Sequence, residues 1–167
     1  MTQLIKNRQR VDDQWLMLPS DVDPRQLPEG DIIVTAPVWQ AHRETLLARN
    51  NGLGITLSGD DDLDAIVPDL DRFQVIALKF PTFRDGRAYS MARHLREHAG
   101  YQGEIRAVGD VLRDQLAYME RVGFNAFVID PRQSSEDALN AFDEISVKYQ
   151  ASSDEPLPIY RRRAMGN

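Results

Sequence analysis

The sequence predicts an α/β fold: a mostly parallel sheet of about five strands with helices on both faces, flavodoxin-like, with a partial TIM-like barrel as the alternative. Two observations lead there. Between Val75 and Asp130, short apolar runs alternate with stretches whose apolar residues recur at helical spacing; that alternation implies parallel pairing and right-handed crossovers. The composition, 42% hydrophobic and 28% charged over 167 residues, is that of a globular chain long enough to bury a core. Residues 1–150 are read as one α/β domain, with 1–20 as an N-terminal hairpin or edge segment and 151–167 as a flexible tail.

Taken in order, Gln3–Lys6 and Trp15–Leu18 are apolar segments flanking polar Asn7–Asp13, a pattern for a small hairpin or an edge cover. Ser20–Gly30, with Pro24 and Pro28, is a connecting loop. Ile32–Thr35 is a buried strand, and Pro37 opens a helix over Val38–Arg49 that Asn50-Asn51-Gly52 closes. Gly54–Leu57 is the next strand. The acidic turn Asp60-Asp61-Asp62 then caps a short helix at Leu63–Val67, and Phe73–Leu78 is the third strand. Met91, Ala92, Leu95 and Ala99 make a helical stripe that Gly100 ends. Glu104–Val108 is a strand, Gly109-Asp110 a tight turn, and Asp110 the expected N-cap of a helix carrying Leu112, Leu116 and Met119. Gly123 closes it, and Ala126–Ile129 is the last strand. Ser134-x-x-Asp137 resembles a capping box ahead of the stripe Leu139, Phe142, Ile145 and Tyr149.

The ligand-facing rim of such a sheet lies at the carboxyl ends of its strands. The most distinctive loop there is Phe80-Pro-Thr-Phe-Arg-Asp-Gly-Arg87. Phe80, Phe83 and Gly86 suggest a fixed shape, and Arg84 and Arg87 stand beside a helix N-terminus whose N–H groups favour anions. Ser90 lies one turn in, and Gly109, Asp110 and Arg113 belong to the neighbouring rim. These nine positions and Asp85 are the candidates for binding a small anion or a partner. Asp85, Asp110 and Asp114 could serve as an acid–base set. His94-Leu-Arg-Glu-His98 matches a zinc-peptidase pattern, but Met91 and Leu95 define the buried stripe, so it reads as a solvated helix face. Asp60, Asp61, Asp62 and Asp64 read as a cap and first-turn acids rather than a magnesium cluster. No nucleophile elbow, phosphate-binding loop or dinucleotide fingerprint is present.

A net charge of −6 argues against nucleic acid as a partner. Cysteine is absent, so no thiolate can hold an iron–sulfur cluster, siroheme or zinc; no cofactor and no metal site is expected. There is no long apolar run for a membrane span and no signal-peptide core, and a cytoplasmic home is expected.

The central stretch resembles a bacterial family of unknown function often encoded beside the hemoprotein subunit of sulfite reductase. The residues that carry it are Phe80-Pro81, Phe83, Asp85-Gly86-Arg87, Ser90, Ala92, Leu95-Arg96, Gly100-Tyr101, Gly103-Glu104 and Arg106-Ala107, continuing through Gly109-Asp110-Val111-Leu112, Asp114-Gln115 and Gly123-Phe124. Ala88 stands where glycine is expected in relatives. Members are commonly labelled oxidoreductases of sulfite reduction, and no catalytic residues come with the label. The resemblance implies a non-catalytic accessory of assimilatory sulfite reduction, partnered by the hemoprotein subunit; the alternative is a small enzyme or binding domain for an anionic metabolite at the rim. Pro156–Arg163 is a candidate docking peptide.

Overall fold

The computed structural model describes residues 3–82 and 84–143. It contains eight strands: β1 (Gln3–Lys6), β2 (Gln9–Val11), β3 (Leu16–Met17), β4 (Ile32–Thr35), β5 (Leu53–Leu57), β6 (Val75–Phe80), β7 (Glu104–Gly109) and β8 (Ala126–Ile129). Four helices accompany them: α1 (Ala36–Leu47), α2 (Arg87–Glu97), α3 (Leu116–Val122) and α4 (Ser135–Ala141). All strands join one sheet in the order β2-β1-β8-β7-β6-β5-β4-β3. Strands β3 to β8 pair in parallel, whereas β1 runs antiparallel to both β2 and β8.

The strand order corrects the flavodoxin-like expectation. From β3 to β8 every strand pairs with its successor in sequence, so successive right-handed crossovers all step the same way and place their helices on one face. The core confirms the one-sided layout. Residues of α1, α2, α3 and α4 all join the cluster built on Ile32, Ile55, Ile76, Leu78, Ile105 and Phe127, whereas the buried hydrophobic cluster of the opposite face is the small set Ile33, Val75, Ala77 and Val108, with Trp15 and Val128 against it. Helices on both faces would need a reversal of strand order, and none occurs.

Chain length requires the sheet to curl. β2 and β3 are its two edges, yet only residues 12–15 join them. Val11 and Leu16 are five Cα steps apart and can be separated by about 19 Å at most. A flat sheet of eight strands would hold its edges about 34 Å apart at the usual strand spacing. The result is a strongly curled half-barrel, the shape of the barrel alternative. Residues 12–15 form a strap across its concave side.

Local chemistry accounts for the remaining departures. The hairpin closes sooner than expected: Asn7 and Arg8 both have positive φ (51° and 62°), the two-residue turn that matches strand twist, so Gln9–Val11 pairs with β1. Trp15–Leu18 instead supplies β3 at the far edge. The helix expected at Leu63–Val67 is two 3₁₀ turns, Leu63–Ala65 and Val67–Arg72, because Pro68 disfavours helical geometry at the residue before it. Asp110 does not cap α3: its N–H donates to the Phe80 carbonyl at 2.8 Å, buried Val111 draws the chain into the core, and extended Leu112 delays the helix until after a 3₁₀ turn at Arg113–Gln115. The third strand begins two residues late, since Phe73 turns into the core against Trp39 at 4.8 Å. Ser134 caps α4 as its pattern predicts, accepting from Asp137 N–H at 3.3 Å. Phe83, Ile145, Tyr149 and the tail lie outside the described residues.

Candidate functional site

The rim loop begins where β6 ends. Phe80 is fully buried and packs on Tyr89 at 5.1 Å and Phe124 at 5.7 Å, which roots the loop in the core. Its carbonyl accepts from Asp110, joining the 80–87 loop to the Gly109 turn. Gly109 has φ +90°, and a Cβ there would fall within contact distance of the Phe80 carbonyl oxygen, so glycine is required.

Arg87 is held at all three nitrogens. Nε and Nη2 donate to the two oxygens of Asp85 at 3.0 and 2.7 Å, and Nη1 donates to Asp60 at 2.6 Å. Asp85 also accepts the Arg87 N–H at 3.1 Å, at the start of α2, where Gly86 is the N-cap. These bonds hold the Asp85 carboxyl down to about 2, the side-chain bond from Arg87 contributing most and its backbone bond next. Arg84, Gly86 and Ser90 are exposed. Arg113 turns to α4, pairing with Asp137 at 2.8 Å. The structure thus unites Phe80, Asp85, Gly86, Arg87, Gly109 and Asp110, and commits Arg113 to a separate contact.

Two further features complete this end. A cavity of about 350 Å³ lies between the Gly109–Leu112 turn and Asp130, Arg132 and Gln133. Arg132 holds the Asp130 carboxyl down to about 2, first through its side-chain bond and then through its backbone N–H. On the helical side, Tyr118 is 49% exposed and meets Tyr89 edge-on at 5.1 Å. The acidic run is structural: Asp60 binds Arg87, Asp61 accepts from Ser58 N–H at 2.7 Å, and Asp62 accepts from Asp64 N–H at 3.0 Å. His94 and His98 stack at 5.2 Å with Asp64 3.9 Å from His94. Among the described residues no group of three or more His, Asp or Glu is placed to hold a metal ion.

The concave face holds a second polar assembly that sequence reasoning missed. Arg106 is wholly buried (0% exposed). Its Nε donates to Glu104 at 2.7 Å and its Nη1 to Asp13 of the strap at 2.9 Å, while Lys6 of β1 reaches the other Glu104 oxygen at 2.9 Å. Two residues apart on one strand, Glu104 and Arg106 must share a face. The available signal was that alternation, two charges flanking Ile105 in a strand otherwise read as apolar. At the amino end of the strands, Arg96 donates to the carbonyls of Tyr101, Gly103 and Gly123 at 2.8 to 2.9 Å, and the Tyr101 hydroxyl donates to Phe73 at 2.9 Å. Many residues that carry the resemblance therefore have structural work far from the rim.

These features define the class: an α/β half-barrel with a fixed arginine–carboxylate rim and a strap across its concave side. The chain belongs to DUF934, a family of bacterial proteins of unknown function, whose model matches residues 54–160. That span takes in β5 from its second residue through α4 and every rim residue named above; the strap and β1 to β4 lie outside it. No curated protein and no solved structure matches the chain. No helix among the described residues is long and apolar enough to cross a membrane.

Proposed function

We propose that this protein is an accessory of assimilatory sulfite reduction, acting with the sulfite reductase hemoprotein subunit and carrying no redox centre itself. The observation that carries the reading is the outer rim surface, where exposed Tyr118 is braced on Tyr89 next to the loop of Arg84 and Arg87. Tyrosine and arginine are enriched at protein interfaces because each offers a large contact area with a polar end. A braced aromatic ring and a guanidinium fixed by two carboxylates lose little freedom on docking. Arg87 spends its donors within the fold, which favours a shaped docking surface over capture of a free anion at that arginine. A chain without cysteine has no thiolate for a cluster, so a part in six-electron chemistry falls to guiding a partner that holds the centres.

Co-purification with the hemoprotein subunit tests this reading. Wild type is expected to co-elute, and Arg84→Ala/Arg87→Ala to lose the partner. Failure of the wild type to associate, together with an unchanged rate of sulfite reduction, would overturn the proposal.

A further inference from the structure

The loop before β4 is held against α1 from several points. Val22 and Leu27 pack on the main core on either side of a 3₁₀ turn at Pro24–Gln26. Arg49, two residues past α1, donates to the Pro28 and Gly30 carbonyls at 3.0 and 2.8 Å. Asp23 caps the turn, accepting from the Arg25 N–H at 2.9 Å. The turn therefore presents a fixed face, and Asp23, Pro24 and Arg25 stand across a cavity of about 600 Å³ from His42 and Thr45 of α1. That volume suits a small metabolite.

α1 is interrupted at this wall. His42 has φ −131° and ψ 28°, outside helical values, and splits the helix in two. Sharp helix breaks usually trace to proline, to glycine or serine, or to a group inserted into the ladder, and Val38–Leu47 contains no proline, glycine or serine. The break opens a second hollow of about 370 Å³ along Gln40 to Thr45, and His42 and Thr45 border both hollows. An irregular turn inside a helix often marks a functional site.

Three donors on this groove are unspent. The Arg25 guanidinium, the His42 imidazole and the Thr45 hydroxyl make no hydrogen bond or ion pair among the described residues. Arg25 and Thr45 are exposed and His42 is half-buried, so a ligand in the cavity reaches all three. Their neighbours are committed: Arg43 pairs with Asp69 and lies over the Trp39 ring, and Arg49 holds the loop carbonyls.

We propose that this groove binds a small hydroxylated metabolite through a phosphate group, held from the loop side by Arg25 and from the helix side by His42 and Thr45. The donor set fixes the class. A guanidinium brings a permanent charge and paired N–H groups that match phosphate oxygens, and the ring N–H and the hydroxyl donate from the opposite wall. A tetrahedral group with several oxygens accepts from both walls at once. Asp23 gives one carboxylate oxygen to its own turn and keeps the other for a ligand hydroxyl, which favours a phosphate ester over the free anion. The groove lies on α1 over β4 and β5, whereas Tyr118 belongs to α3 beyond β7, so the site is independent of the docking surface. It also precedes residue 54, outside the span that the family model matches.

The protein has three histidines, His42, His94 and His98, so imidazole NMR gives a local readout with the pair on α2 as internal references. Glycerol 3-phosphate, inorganic phosphate and acetate are titrated in turn, with calorimetry in parallel. A saturable shift of the His42 ring signals with glycerol 3-phosphate is expected, His94 and His98 staying in place. Arg25→Ala should weaken the calorimetric binding about tenfold or more, as loss of a charged donor does, and Thr45→Val about threefold or more. Both side chains are exposed and without partners, so neither change disturbs the fold. Arg10→Ala, an exposed arginine on β2, should leave binding unchanged. Binding of both phosphate probes would identify the phosphate as sufficient, and binding of the ester alone would show that its hydroxyls are needed; either supports the site. No His42 shift with either phosphate probe, acetate binding as tightly as the ester, or affinity that survives Arg25→Ala would overturn it.

Discussion

At the residue scale, the fold depends on one buried guanidinium. Arg106 has given up its water entirely and recovers hydrogen bonds from Glu104 and Asp13, with Lys6 balancing the second Glu104 oxygen. Removing one partner leaves a charge with no solvent to replace it. Glu104→Ala is therefore expected to lower stability by about 3–5 kcal/mol, read by urea unfolding, because an orphaned buried charge costs more than the intact pair contributes. A loss under about 1 kcal/mol would contradict the network's role. Titration gives a second expectation. Asp85 and Asp130, each held to about 2 by a neighbouring arginine, have folded pKa values below the ordinary carboxylate value near 4. A depressed folded pKa contributes stability that is present above about pH 4 and is lost as pH falls through about 2. Both carboxylates face solvent, so screening keeps the effect small. Arg87→Ala should raise the Asp85 midpoint toward 4 by carboxyl NMR; an unmoved midpoint would assign the shift to another cause.

At the element scale, the turn after β7 fixes the rim. Gly109 sits at φ +90° against the Phe80 carbonyl, and Gly109→Ala combines backbone strain with a steric clash. Its expected cost is about 1–3 kcal/mol or more, measured by thermal unfolding, and a neutral substitution would contradict the close approach. Elements whose signal is local were legible in the sequence. The α2 stripe of Ala92 and Leu95, the first-turn proline of α1 and the Ser134 cap all rest on contacts within a few residues. Elements that depend on distant partners were not. β3 is two residues long and exists because β4 offers it an edge, and the start of α3 is set by the burial of Val111 rather than by Asp110. The rim loop was legible as unusual from its composition, but the Arg87–Asp60 bond spans 27 residues and left no local trace.

At the scale of the whole molecule, the shape follows from a strap of four residues and a strand order that never reverses. The asymmetry of the strands already carries this information. Ile32, Val34, Leu53, Ile55, Leu57, Ile76, Leu78 and Phe80 all face the helices, while the alternate positions mix Ile33 and Val75 with Thr35, Gly54, Thr56, Ala77 and Lys79. A sheet covered by helices on both faces would be apolar at both sets, so the small and polar members of the second set are the trace of the one-sided layout that the expectation of helices on both faces passed over. The same strap makes a prediction. Trp15 seals the amino end of the concavity, and Trp15→Ala should destabilise by roughly 2–4 kcal/mol, less than a fully buried tryptophan because it keeps some exposure. Urea unfolding measures it, and an unchanged midpoint would mean that the strap does not close that end. We propose that the helical side of this half-barrel is a docking surface for the sulfite reductase hemoprotein subunit. Calorimetric titration of that subunit with wild type and with Tyr118→Ala tests it most directly. Saturable, equimolar binding that Tyr118→Ala weakens about fivefold or more is predicted, as for an exposed aromatic at an interface centre. No heat of binding by the wild type, or equal binding by both proteins, would contradict it.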